Sequence, residues 1–487
     1  MTTLKQKTVN GLSWSFIDQV GNLGITFIVG IVLARLLSPR EFGLIGMITV
    51  FIAISESFIN SGFSSALIRK QNSTNTDYST VFYFNLVVGL IFYGILYTSA
   101  HAIASFFDEP QLISIVRVMA LILIIDSFTI IQRTILTKRI NFKLQARISI
   151  ISSVGSGVIA IIMAYQGYGV WSLVFQRLSR QVLNSIFLWI WNNWRPQFVF
   201  SWVSFKELFG FGSKLLISGL IDTIYQNVYY LIIGKFFSAQ ALGYYTKADD
   251  FRKVPSQGLN AVIGRVSYPV LSSIQGDKPR LKINYQRLIR STMFITFVFM
   301  LGMATVAEPM IITLIGEIWR PSIIYLQLLC FVGMMYPLQS LNLNMLQVAG
   351  RSDLFLRLEI IKKTLSVPVI IIGIYLGIVP MIIGMIINSF IAYIINSFWS
   401  GKFVGYSTKE QISDILPSFL FAAIMSVGVY LLGHILPFAP LIILIVQVLS
   451  GAIFVLIAGE LFKHKDYLYI KSIILEQINN VKLRNAK

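Results

Sequence analysis

Apolar blocks of about 20 residues follow one another along this chain, separated by short polar stretches, and no other feature constrains its fold as strongly. Each block has the length that a helix needs to cross the hydrocarbon core of a bilayer. The balance of residues agrees, with 55% hydrophobic and only 13% charged. A soluble domain is about 45–50% apolar and about 25% charged, so this chain has too little polar surface to cover itself in water. The expected fold class is an all-α integral membrane protein.

Counting blocks of sufficient length gives about fourteen spans. In the first half they fall near 12–36, 42–68, 80–106, 112–136, 145–166 and 169–191. In the second they fall near 207–235, 241–272, 286–307, 321–347, 356–376, 379–400, 413–435 and 440–462. Pro255 is expected to kink the eighth. Lys5 and Lys7 precede the first block as they would in a signal peptide, but Asp18 interrupts it and no small-x-small cleavage site follows. It reads as a retained span.

The connections sort by charge. One set holds Lys5/Lys7, Arg69/Lys70, Lys138/Arg139/Lys143, Arg195/Lys206, Lys278/Arg280/Lys282, Arg351/Arg357, Lys402/Lys409 and the tail from Lys463. The alternate set holds Arg40/Glu41, Asp108/Glu109, Tyr168, Glu308/Glu317/Arg320 and two uncharged turns. Basic residues favour the cytoplasmic side, which places both termini there and requires an even number of spans. Topology also accounts for the net charge of +19, since the basic residues lie in short loops rather than on a soluble basic face. No nucleic-acid partner is expected. Cys330 is the single cysteine, and His101, His434 and His464 lie far apart without metal-ligand spacing, so neither a disulfide, a metal site nor a cofactor is expected.

The chain resembles itself at an offset of 200 residues. Leu33-Ala34-Arg35-Leu36-Leu37-Ser38-Pro39-Arg40-Glu41-Phe42-Gly43 matches Ile233-Gly234-Lys235-Phe236-Phe237-Ser238-Ala239-Gln240-Ala241-Leu242-Gly243 in pattern. Gly167-Tyr168-Gly169-Val170 is echoed by Tyr375-Leu376-Gly377-Ile378. Six spans separate equivalent points, and an even number preserves orientation, so the halves are expected to be parallel repeats with a substrate path between them. The expected organisation is an N-terminal six-helix lobe over 1–200 and a C-terminal six-helix lobe over 201–405. An accessory helix pair and a basic cytoplasmic tail would occupy 406–487.

Charge inside a membrane costs about 2.5 kcal/mol or more per residue, so intramembrane ionisable groups normally face a wet interior and mark a pathway. Several spans here carry such groups at helical spacing: Ser15, Asp18, Asn22 and Thr26 in the first, and Glu56, Asn60 and Ser64 in the second. Asp126 and Arg133 lie two turns apart in the fourth, while Arg117 reads as a snorkelling anchor. Arg177, Arg180 and Asn184 form a stripe in the sixth, and Lys214, Ser218, Asp222 and Gln226 another in the seventh, beside Tyr225 and Tyr229. The eighth concentrates Lys247, Asp249, Asp250, Arg252 and Lys253, which suggests water or polar groups on both of its sides. The last two spans carry no interior charge. Arg133, Arg177, Lys214, Lys247 and Arg252 are the candidate cationic groups, suited to phosphate oxygens. Asp18, Glu56, Asp126, Asp222 and Asp249 are candidates for ion coupling or for charge pairing, and Tyr225 and Tyr229 for stacking on sugars.

Three stretches carry a family resemblance. The first is Leu36-Leu37-Ser38-Pro39-Arg40-Glu41-Phe42-Gly43-Leu44-Ile45-Gly46-Met47, followed by Gly62-Phe63-Ser64-Ser65-Ala66-Leu67-Ile68. The second is Gly167-Tyr168-Gly169-Val170-Trp171-Ser172-Leu173-Val174. The third is Leu242-Gly243-Tyr244-Tyr245-Thr246-Lys247-Ala248, then Pro255, Tyr268-Pro269 and Ser273-Ile274-Gln275-Gly276-Asp277. In this order they resemble bacterial polysaccharide and lipopolysaccharide exporters of the Wzx type. The chain departs from that pattern at Lys247, where the family usually has Arg, and at the acidic pair Asp249-Asp250. The resemblance implies the multidrug/oligosaccharidyl-lipid/polysaccharide exporter fold in a bacterial inner membrane. It implies as substrate an oligosaccharide on polyprenyl (undecaprenyl) pyrophosphate, flipped from the cytoplasmic to the outer leaflet by alternating access. H⁺ or Na⁺ are the candidate coupling ions, and the polysaccharide polymerase and export machinery are the candidate partners.

The sequence leaves rivals. A membrane enzyme of polysaccharide assembly would need a sizeable water-facing domain, and the connections are too short for one of about 50 residues. An ATP-driven pump would need a Gly-rich phosphate loop, and Gly210-Phe211-Gly212-Ser213-Lys214 has the wrong spacing. A drug exporter of the same fold is the nearest alternative, but a lipophilic cation would be repelled by a Lys- and Arg-rich cavity.

Overall fold

The computed structural model describes residues 4–60 and 62–485, with the side chains of 4–12, 257–266, 268–269, 352, 474 and 477–485 left outside the description. Lys5, Lys7, Tyr268 and Pro269 fall in that excluded set. Among the described residues every regular element is helical. The first half comprises α1 (Leu4–Leu36), α2 (Pro39–Asn60), α3 (Phe63–Arg69), α4 (Asn75–Phe107), α5 (Leu112–Met119), α6 (Leu121–Lys138), α7 (Phe142–Tyr165) and α8 (Val170–Trp191). There follow α9 (Trp202–Phe236), α10 (Ala239–Ser273), α11 (Lys278–Thr305), α12 (Ala307–Ile315), a short 3-10 turn at Glu317–Trp319, and α13 (Ser322–Val348). The chain ends with α14 (Ser352–Leu376), α15 (Ile378–Val404), α16 (Thr408–Ile435), α17 (Pro440–Leu461) and α18 (Lys465–Asn485).

Eleven helical segments among the described residues are long and apolar enough to cross a membrane, and the chain is a multi-pass membrane protein. They coincide with eleven of the spans expected from the sequence, two of them built from consecutive helices, α2 with α3 and α5 with α6. The other three expected spans are α8, α10 and α14, helices of 22, 35 and 25 residues that are too polar to qualify by composition. The tail expected after Lys463 is itself largely a helix, α18.

Local chemistry sets the helix ends. Thr74 and Asp77 form a reciprocal cap on α4: the Asp77 amide donates to Thr74 Oγ1 at 3.2 Å, and the Thr74 amide donates to Asp77 Oδ2 at 2.8 Å. Ser407 and Glu410 do the same for α16. Asp277 caps α11, accepting from the Arg280 amide at 3.1 Å. Gly405, at φ +71°, closes α15 in the left-handed conformation that glycine adopts without steric cost.

The chain forms two compact units, residues 1–246 and 247–487. In the first, α1 lies along α7, α7 along α8, and α2 along α9. Phe63, Phe82, Ile131, Trp194 and Leu208 make a core between α3, α4, α6 and α9. The segment 192–201 is stitched to α4: the Gln197 amide donates to Ser79 Oγ at 2.9 Å and the Ser201 amide to Thr80 Oγ1 at 3.0 Å. Small residues allow the closest helix approaches, as expected where lipid supplies no hydrophobic drive between helices. The tightest is reciprocal. A Cβ on Gly43 would lie 1.6 Å from the Ala239 carbonyl oxygen, and a Cβ on Gly243 would lie 1.8 Å from the Pro39 carbonyl oxygen. The first turns of α2 and α10 thus cross backbone to backbone, through residues that stand opposite each other in the 200-residue match.

In the second unit α11 packs along α13 and α16, and α15 along α13 and α14. The carboxamides of Asn342 and Gln411 bond each other in both directions at 3.3 Å, and Ser400 Oγ donates to Asn342 Oδ1 at 2.5 Å. The start of α18 is held by Asp466, which accepts from Arg290 at 2.9 Å and from Ser418 at 2.7 Å. Beside it His464 sits 5.1 Å, ring to ring, from both Phe294 and Phe421.

Candidate functional site

The polar stripe of α1 faces α7 and α8. Asn22 is its hub: it donates to Asp18 Oδ1 and to Ser149 Oγ, both at 2.6 Å, and its own Oδ1 accepts from Ser153 at 2.5 Å and from Arg180 at 3.3 Å. One helix further on, Gln181 donates to Asp126 Oδ1, which also accepts from Thr129 at 3.0 Å. Arg177 donates to Thr49 on α2 at 3.2 Å. Glu56 interacts electrostatically with Asp126, Arg177 and Arg133, and Arg180 with Arg133, Asp18 and Arg177. Four helices of the first unit, α1, α2, α6 and α8, therefore bring Asp18, Glu56, Asp126, Arg133, Arg177 and Arg180 into one charged interior.

Signs are balanced in that group, three of each, but access is not. Arg133 and Arg177 are exposed, whereas Asp18, Glu56 and Asp126 are half-buried, with Asp18 and Asp126 held in hydrogen bonds from neighbouring amides and hydroxyls. Carboxylate oxygens occupied by such donors present less of their acceptor capacity to an incoming group. The accessible functional groups are guanidiniums, which bind phosphate oxygens through paired N–H donors.

A cavity of about 400 Å³ opens between α2 and α9, lined by Glu56, Ser57, Asn60, Thr223, Gln226 and Asn227 among others. Ser57 and Thr223 hydroxyls meet across it at 2.9 Å. Lys214 and Asp222, on the exposed stripe of α9, lie on the helix that forms one wall, and Gln226 donates to Asp222 at 2.8 Å. Tyr225 is half-buried, and Tyr229 is buried beside Tyr230, whose ring meets Tyr245 edge-on at 5.8 Å.

The cluster on α10 belongs to the second unit. Its charges pair within single turns: Asp249 with Arg252 at 2.5 Å and with Lys253 at 2.7 Å, and Lys247 with Asp250 at 3.6 Å. Lys247 and Asp249 are buried, at 5% and 4% exposure, so of the water or polar groups expected on both sides of this segment these two meet ion-pair partners. The stem of Arg252 packs against α13, so close that a Cβ on Gly333 would lie 3.1 Å from its Cγ. Sequence spacing places Arg180 on the stripe with Arg177 but gives no reason to prefer it. Its bond to Asn22 appears only once α1 and α8 are set side by side.

Residues 32–324 match the model of a family described as polysaccharide biosynthesis protein. The chain is 25% identical over 446 residues to the lipopolysaccharide biosynthesis protein WzxC of Escherichia coli K12, covering 89% of each chain. It is 24% identical over 356 residues to the teichuronic acid biosynthesis protein TuaB of Bacillus subtilis, covering 73% of this chain and 74% of that one. The succinoglycan biosynthesis transport protein ExoT of Rhizobium meliloti is 27% identical over 321 residues, or 65% of this chain and 64% of its own. Among solved structures, the lipid II flippase MurJ in an inward closed conformation superposes with a TM-score of 0.75, at 17% identity over 94% of this chain and 99% of its own. An inward-facing multidrug resistance transporter of the MATE family superposes with a TM-score of 0.64, at 17% identity over 82% and 98%. These likenesses give the fold, and the family match over more than half of the sequence gives the membership: the chain belongs to the polysaccharide biosynthesis protein family.

Proposed function

We propose that this protein is a transporter, not an enzyme, that flips polyprenyl-pyrophosphate-linked oligosaccharide repeat units from the cytoplasmic to the periplasmic leaflet for surface polysaccharide assembly. The observation that carries the reading is the charged interior of the first unit, where Arg133 and Arg177 stay accessible while the neighbouring carboxylates are largely engaged. A pyrophosphate must leave water to cross the bilayer, and fixed guanidiniums replace its lost hydration. Alternating access along these accessible cationic groups moves the head group while the polyprenyl chain stays in lipid. The names of WzxC, TuaB and ExoT, all polysaccharide biosynthesis proteins, support the substrate class, and the likeness in fold to MurJ, a lipid II flippase, supports flipping.

In this reading the protein lies in a bacterial inner membrane with fourteen spans and both termini cytoplasmic. Its lobes are parallel repeats over 1–200 and 201–405, with an accessory pair after 406. The reciprocal approach of Gly43 to Ala239 and of Gly243 to Pro39 supports the repeat. H⁺ or Na⁺ coupling would run through Glu56 or Asp126, and a polysaccharide polymerase would consume the product. The MATE likeness favours a drug exporter of the same fold as the second reading.

The test uses purified protein in proteoliposomes loaded with a labelled polyprenyl-pyrophosphate oligosaccharide and an external, impermeant hydrolase. Wild type is expected to raise the cleavable fraction beyond the outer leaflet. Arg177→Ala and Lys214→Ala, both at exposed positions, are expected to slow the rate by about tenfold or more, since a charge-assisted hydrogen bond contributes about 1.5–3 kcal/mol. An undiminished rate in both variants would rule out the cationic path. No flipping by wild type across several glycans and ion gradients would favour drug export.

A further inference from the structure

A second cavity, of about 410 Å³, lies at the other end of the first unit, where Ser38–Leu44, Gln111–Ile115 and Tyr168–Trp171 meet. Its size falls in the range of small-ligand sites, and its lining combines aromatic faces with a few convergent polar groups. Tyr168, 54% exposed, and Trp171 supply the faces. Arg40, Glu41, Gln111 and Ser114 supply the polar groups.

The polar groups are held in place by the fold. Glu41 Oε2 accepts from the Ser38 amide at 2.6 Å and from its hydroxyl at 3.0 Å, which fixes the carboxylate at the first turn of α2. Its Oε1 reaches so close to Gly169 that a Cβ there would lie 2.5 Å away, and Gly169 holds φ +54°. Only glycine lets the 167–170 turn bring Tyr168 and Trp171 up to this carboxylate. Arg40 pairs with Glu109 at 2.6 Å while keeping about half of its side chain exposed.

The charge balance selects the ligand. The one guanidinium in the lining, that of Arg40, is already paired with Glu109, and Glu41 adds a carboxylate of its own, so a phosphate or pyrophosphate gains little here. Sugar hydroxyls suit the site: carboxylate and carboxamide oxygens accept from them, while amide and guanidinium N–H groups donate to them. Aromatic faces beside these groups cover the apolar face of a pyranose ring. We infer that this cavity is a binding subsite for the uncharged glycan part of the cargo, separate from the guanidinium-rich interior that takes the pyrophosphate. The inference rests on the transport reading, and on its sidedness this subsite faces the compartment where the glycan is released.

The test is saturation-transfer NMR on the full chain in nanodiscs. The probe is the repeat-unit oligosaccharide freed from the host's lipid carrier by mild acid and therefore lacking polyprenyl pyrophosphate. Wild type is expected to bind it, and Tyr168→Ala and Trp171→Ala to weaken binding by about tenfold or more. Tyr168→Ala removes an exposed side chain, and a melting temperature equal to that of wild type would exclude misfolding. Inorganic pyrophosphate is expected not to compete. Absence of binding to wild type, equal binding by both variants, or competition by pyrophosphate would each overturn the subsite. Flipping without this binding removes the subsite and leaves the transport reading, and binding without flipping does the reverse.

Discussion

Single residues in this protein take their roles from neighbours that spacing cannot name. Asp18, Glu56 and Asp126 read from the sequence as intramembrane carboxylates, and the folded chain surrounds Asp18 and Asp126 with amide and hydroxyl donors. Asn22 was legible as one member of a stripe, yet it bonds partners on three helices. His464 offers a test at this scale. Burial against Phe294 and Phe421 holds its imidazole below the ordinary histidine range and outweighs the opposing attraction of Asp466. The sign follows from linkage: the unfolded chain takes up a proton more readily, so stability is full above the ordinary value and falls as pH drops through it. The Tm of wild type is expected to fall more steeply between about pH 7 and about pH 5.5 than that of His464→Gln, as followed by thermal unfolding in detergent. Equal slopes would mean that the ring is solvated in the folded protein.

At the scale of elements, apolar block length placed most helices, because a run of about 20 apolar residues has few alternatives in lipid. The polar ones, α8, α10 and α14, also form helices at the expected positions. Helix contacts were less legible. The sequence match aligns Gly43 with Gly243, but that each glycine meets the backbone of the other's helix requires the fold. Gly43→Ala or Gly243→Ala would force a methyl group into a carbonyl oxygen and push α2 and α10 apart. Either substitution is expected to cost about 1–3 kcal/mol and to lower Tm by several degrees, measured on purified protein. By contrast Gly24→Ala, which meets nothing within 4 Å, is expected to leave Tm unchanged. Similar losses at Gly24 and Gly43 would contradict the close crossing.

Across the whole molecule, alternation of the helices separates two sets of connections in the first unit. Arg40 with Glu109 and Lys235 with Asp108 pair at one end, and Lys70 with Asp77 and Glu207 at the other. The bond to Glu207 raises the Lys70 pKa above the usual lysine value, so that connection stays cationic at any physiological pH. Cys330, the single cysteine, is buried, so an introduced thiol can be labelled selectively. In right-side-out vesicles a membrane-impermeant maleimide is expected to label Tyr168→Cys but not Arg139→Cys, and inverted vesicles are expected to reverse the result. Labelling of both positions from one side would break the proposed topology.

By itself the sequence determined the lipid-soluble character, the helical class, the approximate limits of the spans and the residues that carry intramembrane charge. These follow from length and from the high cost of polar groups in hydrocarbon, both of which are local properties of the chain. Only the tertiary structure decided which charges share an interior, that Lys247 and Asp249 are buried in short-range pairs, and that Glu41 meets the Tyr168 turn. Those outcomes depend on how each helix is rotated and on which backbones approach closely. The 3.6-residue period reports one face of a helix but not the partner it meets.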